Sequence, residues 1–174
     1  MTFSKTRIVT NFHYYINGVT LNRTTGPVKD LGILFDTKLK FDCHINNIIN
    51  RSNKIIGFIV RNYDFTDKHA LKSLFCSLVR SLCEYGSIIW FPFQIGFKLK
   101  LEKIQQKFLR FLAFKCSTPV DSSYSSLLSI LNLETLENRR LRLDLYFSYK
   151  LFVGMIDCPD FLNHFSFHVT TRSV

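Results

Sequence analysis

The chain has 174 residues, of which 47% are hydrophobic, and it contains 18 Phe but only 7 Gly and 4 Pro. This composition excludes an intrinsically disordered or collagen-like protein, and the length suits one domain rather than two. No apolar run approaches the ~20 residues that a membrane-spanning helix needs. The first 15 residues lack the basic and apolar regions of a secretory signal. We therefore expect an intracellular protein that is neither secreted nor embedded in a membrane.

The five cysteines are odd in number, and they are scattered along the chain. An intracellular protein with this pattern is expected to have free, buried thiols rather than a disulfide framework. The five histidines do not combine with these cysteines at the spacing of a zinc finger or ribbon. We therefore expect no metal site in this chain.

The net charge is +10, from 23 Lys and Arg against 13 Asp and Glu. The excess of positive charge lies within residues 1–116, because residues 117–174 contain slightly more acidic than basic side chains. Such a basic surface favours a polyanionic partner, through neutralisation of phosphates and release of counterions. Charge also keeps an apolar chain soluble, so composition by itself leaves both interpretations open.

Residues 1–40 are predicted to form strands and turns. Residues 6–10 are rich in strand-forming side chains, and Asn17-Gly18 between two apolar segments is a strong signal for a two-residue hairpin. Residues 28–35 alternate well enough for one further strand that ends at Asp36. We therefore expect a small antiparallel sheet at the N-terminus.

After Asp42, a candidate helix cap, the apolar period changes from two residues to 3.6, which predicts a helix. The expected buried residues of this first helix are Ile45, Ile48, Ile49, Ile55, Ile56 and Ile59. Thr66 or Asp67 can cap a second helix. Its expected apolar stripe comprises Ala70, Leu71, Leu74, Phe75, Leu78, Val79 and Leu82. Residues 87–93 are wholly apolar apart from Ser87, and we expect them to be buried.

A third helix is predicted over residues 98–114. Its expected core side comprises Leu101, Ile104, Phe108, Phe111 and Leu112. A basic stripe lies beside it, formed by Lys100, Lys103, Lys107 and Arg110. This stripe is interpreted either as a solvated helix face or as a surface that follows a phosphate backbone. Phe97 and Phe114 near it are candidates for base stacking, although core packing is the default explanation in a chain with 18 Phe.

The rest of the chain is predicted to be a loop over residues 117–126, a short helix that ends at Asn132, and a longer helix capped by Thr135 and ended by Gly154. Residues 159–174 have weak periodicity and are expected to fray. The predicted fold class is α+β and mostly α, with a β region at 1–40 and a helical region at 41–174.

No catalytic motif stands out in the sequence. The chain has no glycine-rich phosphate loop, nucleophile elbow, zinc-protease motif or calcium loop. Asp157 and Asp160 flank Pro159, a pattern that is more typical of a turn than of a metal site. His69 and Cys76 are separated by about 10 Å along a helix, which is too far for a nucleophile and its base.

Five segments, in order along nearly the whole chain, closely resemble the jockey-like non-LTR (LINE-type) retrotransposon reverse transcriptases. They are VKDLGILFD at 28–36, LKSLFCSLVRSLCEYGSIIW at 71–90, LEKIQQKFLRFL at 101–112, LNLETLENRRLRLDLYFSYKLFVGMID at 131–157, and PDFL at 159–162. The chain is therefore similar to the C-terminal part of such an enzyme: the end of the palm, the thumb and the connecting region.

The resemblance implies that the Lys-Asp-Leu-Gly segment is a primer grip, which holds the growing 3′ end. Lys29 would then lie near the primer end, and Leu31 and Gly32 would shape the turn beside it. Residues 1–40 would end the palm, and the helices of 41–174 would cradle the template–primer duplex as a thumb and connection. The expected phosphate contacts elsewhere are Arg51, Lys54, Lys100, Lys103, Lys107 and Arg110.

The family's polymerase aspartates, which bind two Mg²⁺ ions, lie upstream of the matching region and have no counterpart in this sequence. The resemblance therefore implies that this chain has no catalytic residue, needs no cofactor of its own and is inactive alone. Its expected partners are an RNA/DNA template–primer and the missing palm and fingers. The alternative is a truncated relic, or a helical interaction module whose basic surface meets acidic proteins.

Overall fold

A computed structural model of the protein describes residue 3 and residues 12–24, 26–63, 67–116 and 123–165. Two small antiparallel hairpins precede a helical region, so the predicted α+β, mostly α fold class is confirmed. The strands are β1 (Tyr15–Ile16), β2 (Val19–Thr20), β3 (Val28–Asp30) and β4 (Ile33–Phe35). The helices are α1 (Asp42–Asn62), α2 (Lys68–Leu74), a π-helical segment (Phe75–Arg80), α3 (Ser81–Glu84), α4 (Ser87–Trp90), α5 (Ile95–Lys115), α6 (Tyr124–Ile130), α7 (Leu136–Phe152) and α8 (Pro159–Leu162).

The first hairpin forms at the predicted Asn-Gly turn. Asn17 and Gly18 have φ angles of 48° and 78°, as a two-residue turn between antiparallel strands requires. The backbone N–H of Leu21 donates to the Tyr14 carbonyl at 2.8 Å, beyond the two paired positions of β1 and β2. The strand predicted at residues 6–10 lies outside the described residues.

The second hairpin corrects the prediction of one continuous strand over residues 28–35. β3 and β4 pair with each other, and Leu31 and Gly32 form the turn between them with φ angles of 43° and 86°. A two-residue turn preserves the odd–even alternation of the side chains, so the alternation alone could not reveal it. The two hairpins form separate two-stranded sheets rather than the single small sheet that was expected.

The loop before α1 is organised by one carboxylate. Asp36 accepts hydrogen bonds from the backbone N–H groups of Lys38, Lys40 and Phe41, at 2.7–3.1 Å. Phe41, with φ at 60°, is the residue that caps α1, and Asp42 is the first helical residue. The prediction that Asp42 is the cap was therefore wrong, although its charge still favours the positive end of the helix dipole.

The second long helical segment contains a π-helical turn in its centre. Leu71, Phe75, Val79 and Cys83 recur every four residues, and all are fully buried. Such a row drifts around an α-helix of 3.6 residues per turn, whereas the wider π turn keeps it on one face. Leu78, which was predicted to be buried, is exposed for the same reason. Asp67 caps α2 by accepting a hydrogen bond from the His69 N–H, and Thr66 lies outside the described residues.

The core lies between α1, the α2–π–α3 segment and α5, while α6 packs on α5 and α7 packs on α3, α4 and α5. α5 begins three residues earlier than predicted, at Ile95. Its buried row comprises Leu101, Ile104, Phe108 and Leu112, as expected, together with Gln105, Leu109 and Ala113. The prediction that residues 87–93 are buried holds for Ser87, Trp90 and Pro92 but is wrong for Ile88, Ile89 and Phe93, which are exposed.

The C-terminal helices are held by polar contacts as well as by apolar packing. Arg139 on α7 forms a two-pronged ion pair with Glu84 on α3, and Lys98 on α5 contacts Glu137 at 2.9 Å. The Gln105 amide on α5 donates to the Glu134 carbonyl at 2.9 Å. α7 therefore sits on both α3 and α5. Among the described residues, none of the helices is apolar over a length that would cross a membrane.

Both predicted ends of α7 are confirmed. Thr135 caps its start by accepting a hydrogen bond from the Asn138 N–H at 3.2 Å. Gly154, with φ at 77°, ends it, and the N–H of Met155 reaches back to the Lys150 carbonyl at 2.9 Å. α6 begins at Tyr124, inside the predicted loop, because the Ser123 hydroxyl caps it. α8 forms within the segment that was expected to fray.

We expect Gly86→Ala to lower the free energy of unfolding by about 1–3 kcal/mol. Gly86 has a φ of 61°, and an added Cβ would lie 2.8 Å from Ile33 Cδ1. Gly96→Ala is the matched control, because a Cβ there meets no atom within 4 Å. Urea unfolding followed by circular dichroism tests this, and equal stability of the two variants would contradict it.

Candidate nucleic-acid interface

A cleft of about 270 Å³ lies between the β3–β4 hairpin and α1. We call it the basic cleft, and it is lined by Lys29, Gly32, Leu34, His44, Asn47, Ile48 and Arg51. Three of the residues predicted from sequence, Lys29, Gly32 and Arg51, therefore meet in one place. Leu31 lies at the hairpin turn beside the cleft, with 83% of its surface exposed.

The hairpin is fixed to the helices from three sides. Ile33 enters the core, the Leu34 N–H donates to His44 Nδ1 at 3.2 Å, and the Tyr85 hydroxyl donates to the Leu31 carbonyl at 2.9 Å. Gly32 lies against the Tyr85 ring, where a Cβ would be only 3.4 Å from Cε1. Lys29 and the turn therefore have a defined position relative to Arg51 on α1.

His44 forms the buried wall of the basic cleft. Its ring meets Trp90 edge to face at 5.4 Å, and Trp90 Nε1 donates to the Tyr85 carbonyl at 2.8 Å. Burial lowers the pKa of His44. Because Nδ1 accepts the Leu34 N–H, the folded state requires the neutral imidazole with its proton on Nε2. His44 is therefore a structural support for the hairpin and not a cation of the cleft.

The charge of the basic cleft is of one sign. Lys29 and Arg51 both line it, and no Asp or Glu is among the described residues around it. Asn47 adds an amide that can donate or accept. Two cations, an amide and an exposed glycine backbone suit an anion such as a phosphate group.

A second basic surface lies on α5. The four predicted residues Lys100, Lys103, Lys107 and Arg110, which we call the α5 stripe, are all exposed on the side opposite the buried row of this helix. None makes an ion pair with a carboxylate in the described part of the chain, and Lys100 Nζ lies 5.2 Å from the centre of the Phe97 ring. The stripe is free to meet a polyanion.

The structure does not join all the predicted contacts into one site. Arg51 and Lys54 are both exposed on α1, but of the two only Arg51 lines the basic cleft. No residue of the α5 stripe is among those described around the cleft. The predicted residues thus form a cleft at the hairpin and a separate stripe on α5, with Lys54 one helical turn from Arg51.

Sequence reasoning missed His44 and Asn47, because nothing in the local pattern shows that the hairpin covers the first two turns of α1. It also missed Arg140, which lies on α7 and is fully buried. None of its three guanidinium nitrogens has a hydrogen-bond partner among the described residues. Burial lowers the pKa of Arg140, against the opposing charges of Glu102, Glu137 and Glu84.

The described residues contain no group of three or more His, Cys, Asp or Glu placed to hold a metal ion. Burial raises the pKa of the Cys83 thiol to about 11, so this cysteine is a packing residue rather than a nucleophile.

Comparison with known proteins assigns no family to the chain. A scan against models of protein families finds no match, and comparisons with curated proteins and with solved structures likewise find none. The resemblance to reverse transcriptases therefore stays a prediction that depends on the five sequence segments alone.

We expect the pH dependence of stability to depend on His44. Its lowered pKa means that the unfolded chain takes up a proton more readily, so the stability it contributes is complete above about pH 6.5 and is lost as the pH falls below that value. His44→Asn, which keeps an acceptor for the Leu34 N–H, should flatten the slope of unfolding free energy between about pH 7 and pH 5.

The control for this experiment is His69→Asn, because His69 is exposed at the start of α2. This variant should keep the slope of the unmodified protein. Urea unfolding at several pH values provides the measurement. A slope that His44→Asn leaves unchanged would show that another group controls the acid sensitivity.

Proposed function

We propose that the protein binds an RNA/DNA template–primer duplex, as the end-of-palm and thumb region of a jockey-like non-LTR retrotransposon reverse transcriptase. The observation that carries this proposal is the basic cleft. Lys29 and Gly32, from the segment that resembles a primer grip, line it together with Arg51 and without any described carboxylate. Such an arrangement supports contact with the phosphate backbone near a strand end.

Lys29 and Arg51 would each contact a phosphate oxygen in the basic cleft, and the exposed Gly32 lets a strand approach the hairpin backbone closely. The α5 stripe would follow the backbone further along. From Lys100 to Arg110 the helix rises about 15 Å. This length matches about four phosphate steps of one strand, at about 3.4 Å of duplex axis each.

In this proposal the chain holds the duplex and does not itself transfer nucleotides. The aspartates of the palm and their Mg²⁺ ions would supply that chemistry from the upstream part of the enzyme. The partners of the chain are then the template–primer and the palm and fingers. We propose that the protein acts inside the cell, where RNA–DNA hybrids are made.

The α5 stripe gives the first test. We expect Lys100→Gln, Lys103→Gln, Lys107→Gln and Arg110→Gln, combined in one variant, to weaken binding of an RNA–DNA hybrid whatever its sequence. Each lost phosphate contact should reduce the slope of log affinity against log salt by about 0.9. Fluorescence anisotropy over a range of KCl concentrations measures both quantities.

The matched control for the stripe is Lys68→Gln, because Lys68 is an exposed lysine at the start of α2. It removes a positive charge elsewhere and should leave the affinity and the salt slope nearly unchanged. If the stripe variant folds, as judged by circular dichroism, and binds the hybrid with unaltered affinity, the α5 face is not part of the interface.

The basic cleft gives the second test. We expect Lys29→Gln and Arg51→Gln each to weaken hybrid binding about threefold to tenfold, because each removes one charge-assisted contact to phosphate. Arg61→Gln is the control, since Arg61 is an exposed cation in the last turn of α1, away from the cleft. Equal effects of all three substitutions would mean that the protein responds only to net charge.

The competing function is a helical module whose basic surface meets acidic proteins. Competition separates the two functions, because heparin carries dense negative charge but has no bases and no duplex geometry. Displacement of the hybrid by heparin only at a large excess supports template–primer binding. Displacement at an equal charge concentration supports the competing function.

A further inference from the structure

A second, larger depression lies on the other side of the start of α1 from the basic cleft. It has a volume of about 460 Å³ and runs between the Asp36–Phe41 loop and the segment that joins α4 to α5. We call it the aromatic groove. Three phenylalanines, Phe91, Phe93 and Phe97, line it together with Lys38 and Lys40. Of the residues that line the groove, only Phe97 was named from the sequence, as a candidate for base stacking.

Phe93 is an apolar side chain that does not pack into the core. It is 93% exposed, the highest value of any described large apolar side chain. Its backbone is well anchored, because the neighbouring Pro92 and the nearby Trp90 are buried. The ring is therefore presented to solvent by a fixed segment, and packing with the rest of the described chain does not hold it there.

The other two rings of the groove already carry cations. Lys98 Nζ lies 5.2 Å from the centre of the Phe91 ring, and Lys100 Nζ lies 5.2 Å from the centre of the Phe97 ring. Ammonium groups on aromatic faces are an arrangement that also favours phosphate close to a stacked base. The charge of Lys98 is already paired with Glu137, so the groove combines flat apolar faces with the positive charges of Lys38, Lys40 and Lys100.

The opposite wall of the groove is preorganised. Asp36 holds the backbone N–H groups of Lys38, Lys40 and Phe41, and both lysine side chains are exposed. Partial burial raises the pKa of Asp36, but these backbone hydrogen bonds outweigh it and keep the pKa below its usual value. The loop backbone therefore keeps its form without a ligand, and it carries the two exposed lysines that line the groove.

We propose that the aromatic groove binds unpaired nucleotides of a single-stranded nucleic acid, with a base stacked on Phe93 and the adjoining phosphates near Lys38 and Lys40. Aromatic rings beside cations are the usual composition of such sites, and every base offers a face for stacking. The volume lies within the range of ligand pockets. Bases within a duplex are already stacked, so the groove selects unpaired ones.

The position of the groove fits this role. Ile45 lines the groove, while its neighbour His44 and Ile48, one turn on, line the basic cleft, so both sites border the first two turns of α1. Asp42 is the one described carboxylate of the groove, and it lies in the first turn of α1, whereas two lysines line the same groove. A duplex end at the cleft could then continue as a single strand into the groove, an inference that rests on the proposed function.

The test compares three fluorescent probes: a blunt RNA–DNA hybrid, the same hybrid with a short single-stranded overhang, and an unpaired oligonucleotide. Phe93→Ala should weaken binding of the overhang and of the single strand about fivefold to 100-fold, as expected for one lost stacking contact. It should leave the blunt hybrid unchanged. Phe93→Trp should bind all three probes with the affinity of the unmodified protein, because tryptophan also offers a flat ring for stacking.

Phe58→Ala is the matched control, because Phe58 is 51% exposed on α1 and lines neither the groove nor the basic cleft. It should leave all three probes unaffected. An equal loss for blunt and overhanging hybrids, or no loss for the single strand, would overturn the proposal for the groove while the proposed function stands. Binding of an apolar peptide that Phe93→Ala abolishes, with single-strand binding intact, would also overturn it.

The three probes distinguish failure of the groove proposal from failure of the duplex-binding proposal. If the single strand binds through Phe93 while the blunt hybrid does not bind at all, the groove proposal stands and the duplex function fails. If none of the three probes binds at moderate salt, both fail. The variants are tested in the full 174-residue chain, with circular dichroism as the check of folding.

Discussion

The candidate site depends on the attachment of the β3–β4 hairpin to the helices. A hairpin with strands of three residues is not stable alone in water. Here Ile33 is buried in the core, and Tyr85 and His44 each form a hydrogen bond with a backbone group of the hairpin. Gly86 permits the close approach of Ile33, because a Cβ at this position would lie only 2.8 Å from Ile33 Cδ1. Its positive φ also disfavours any residue with a side chain. The turn between α3 and α4 therefore positions a hairpin that is distant from it in sequence.

Two different surfaces border the start of α1. On one side the hairpin closes the basic cleft, where Lys29 and Arg51 meet. On the other side the Asp36 loop and the segment around Phe93 form the aromatic groove. The polar interactions at the two flanks are of the same kind, since in each a buried or half-buried side chain accepts backbone N–H groups and fixes a short loop. The chain itself thus holds both the hairpin and the Asp36 loop in place, and such preorganisation would reduce the entropic cost of the proposed binding.

Local signals in the sequence correctly predicted a turn, two helix caps and a helix end. The Asn17-Gly18 turn, the Asp67 and Thr135 caps and the Gly154 helix end are confirmed, because each requires only its nearest neighbours. Two features that were missed depend on distant contacts. The π turn that keeps Val79 buried and exposes Leu78 is supported by packing against α1, and burial of Arg140 follows from the crossing of α7 over α3 and α4. Neither can be read from periodicity.

The same division applies to the candidate site. The sequence by itself determined the fold class, the positive charge of the first two-thirds and the exposure of the α5 stripe, because helical spacing alone separates Lys103 and Lys107 from the buried Ile104 and Phe108. Only the tertiary structure decided that Lys29 and Arg51 share a cleft, that the α5 stripe lies apart from it, and that Phe93 lines a groove. These relations join residues from different elements, and their distances are set by the packing of the hairpin and helices, which no local pattern encodes.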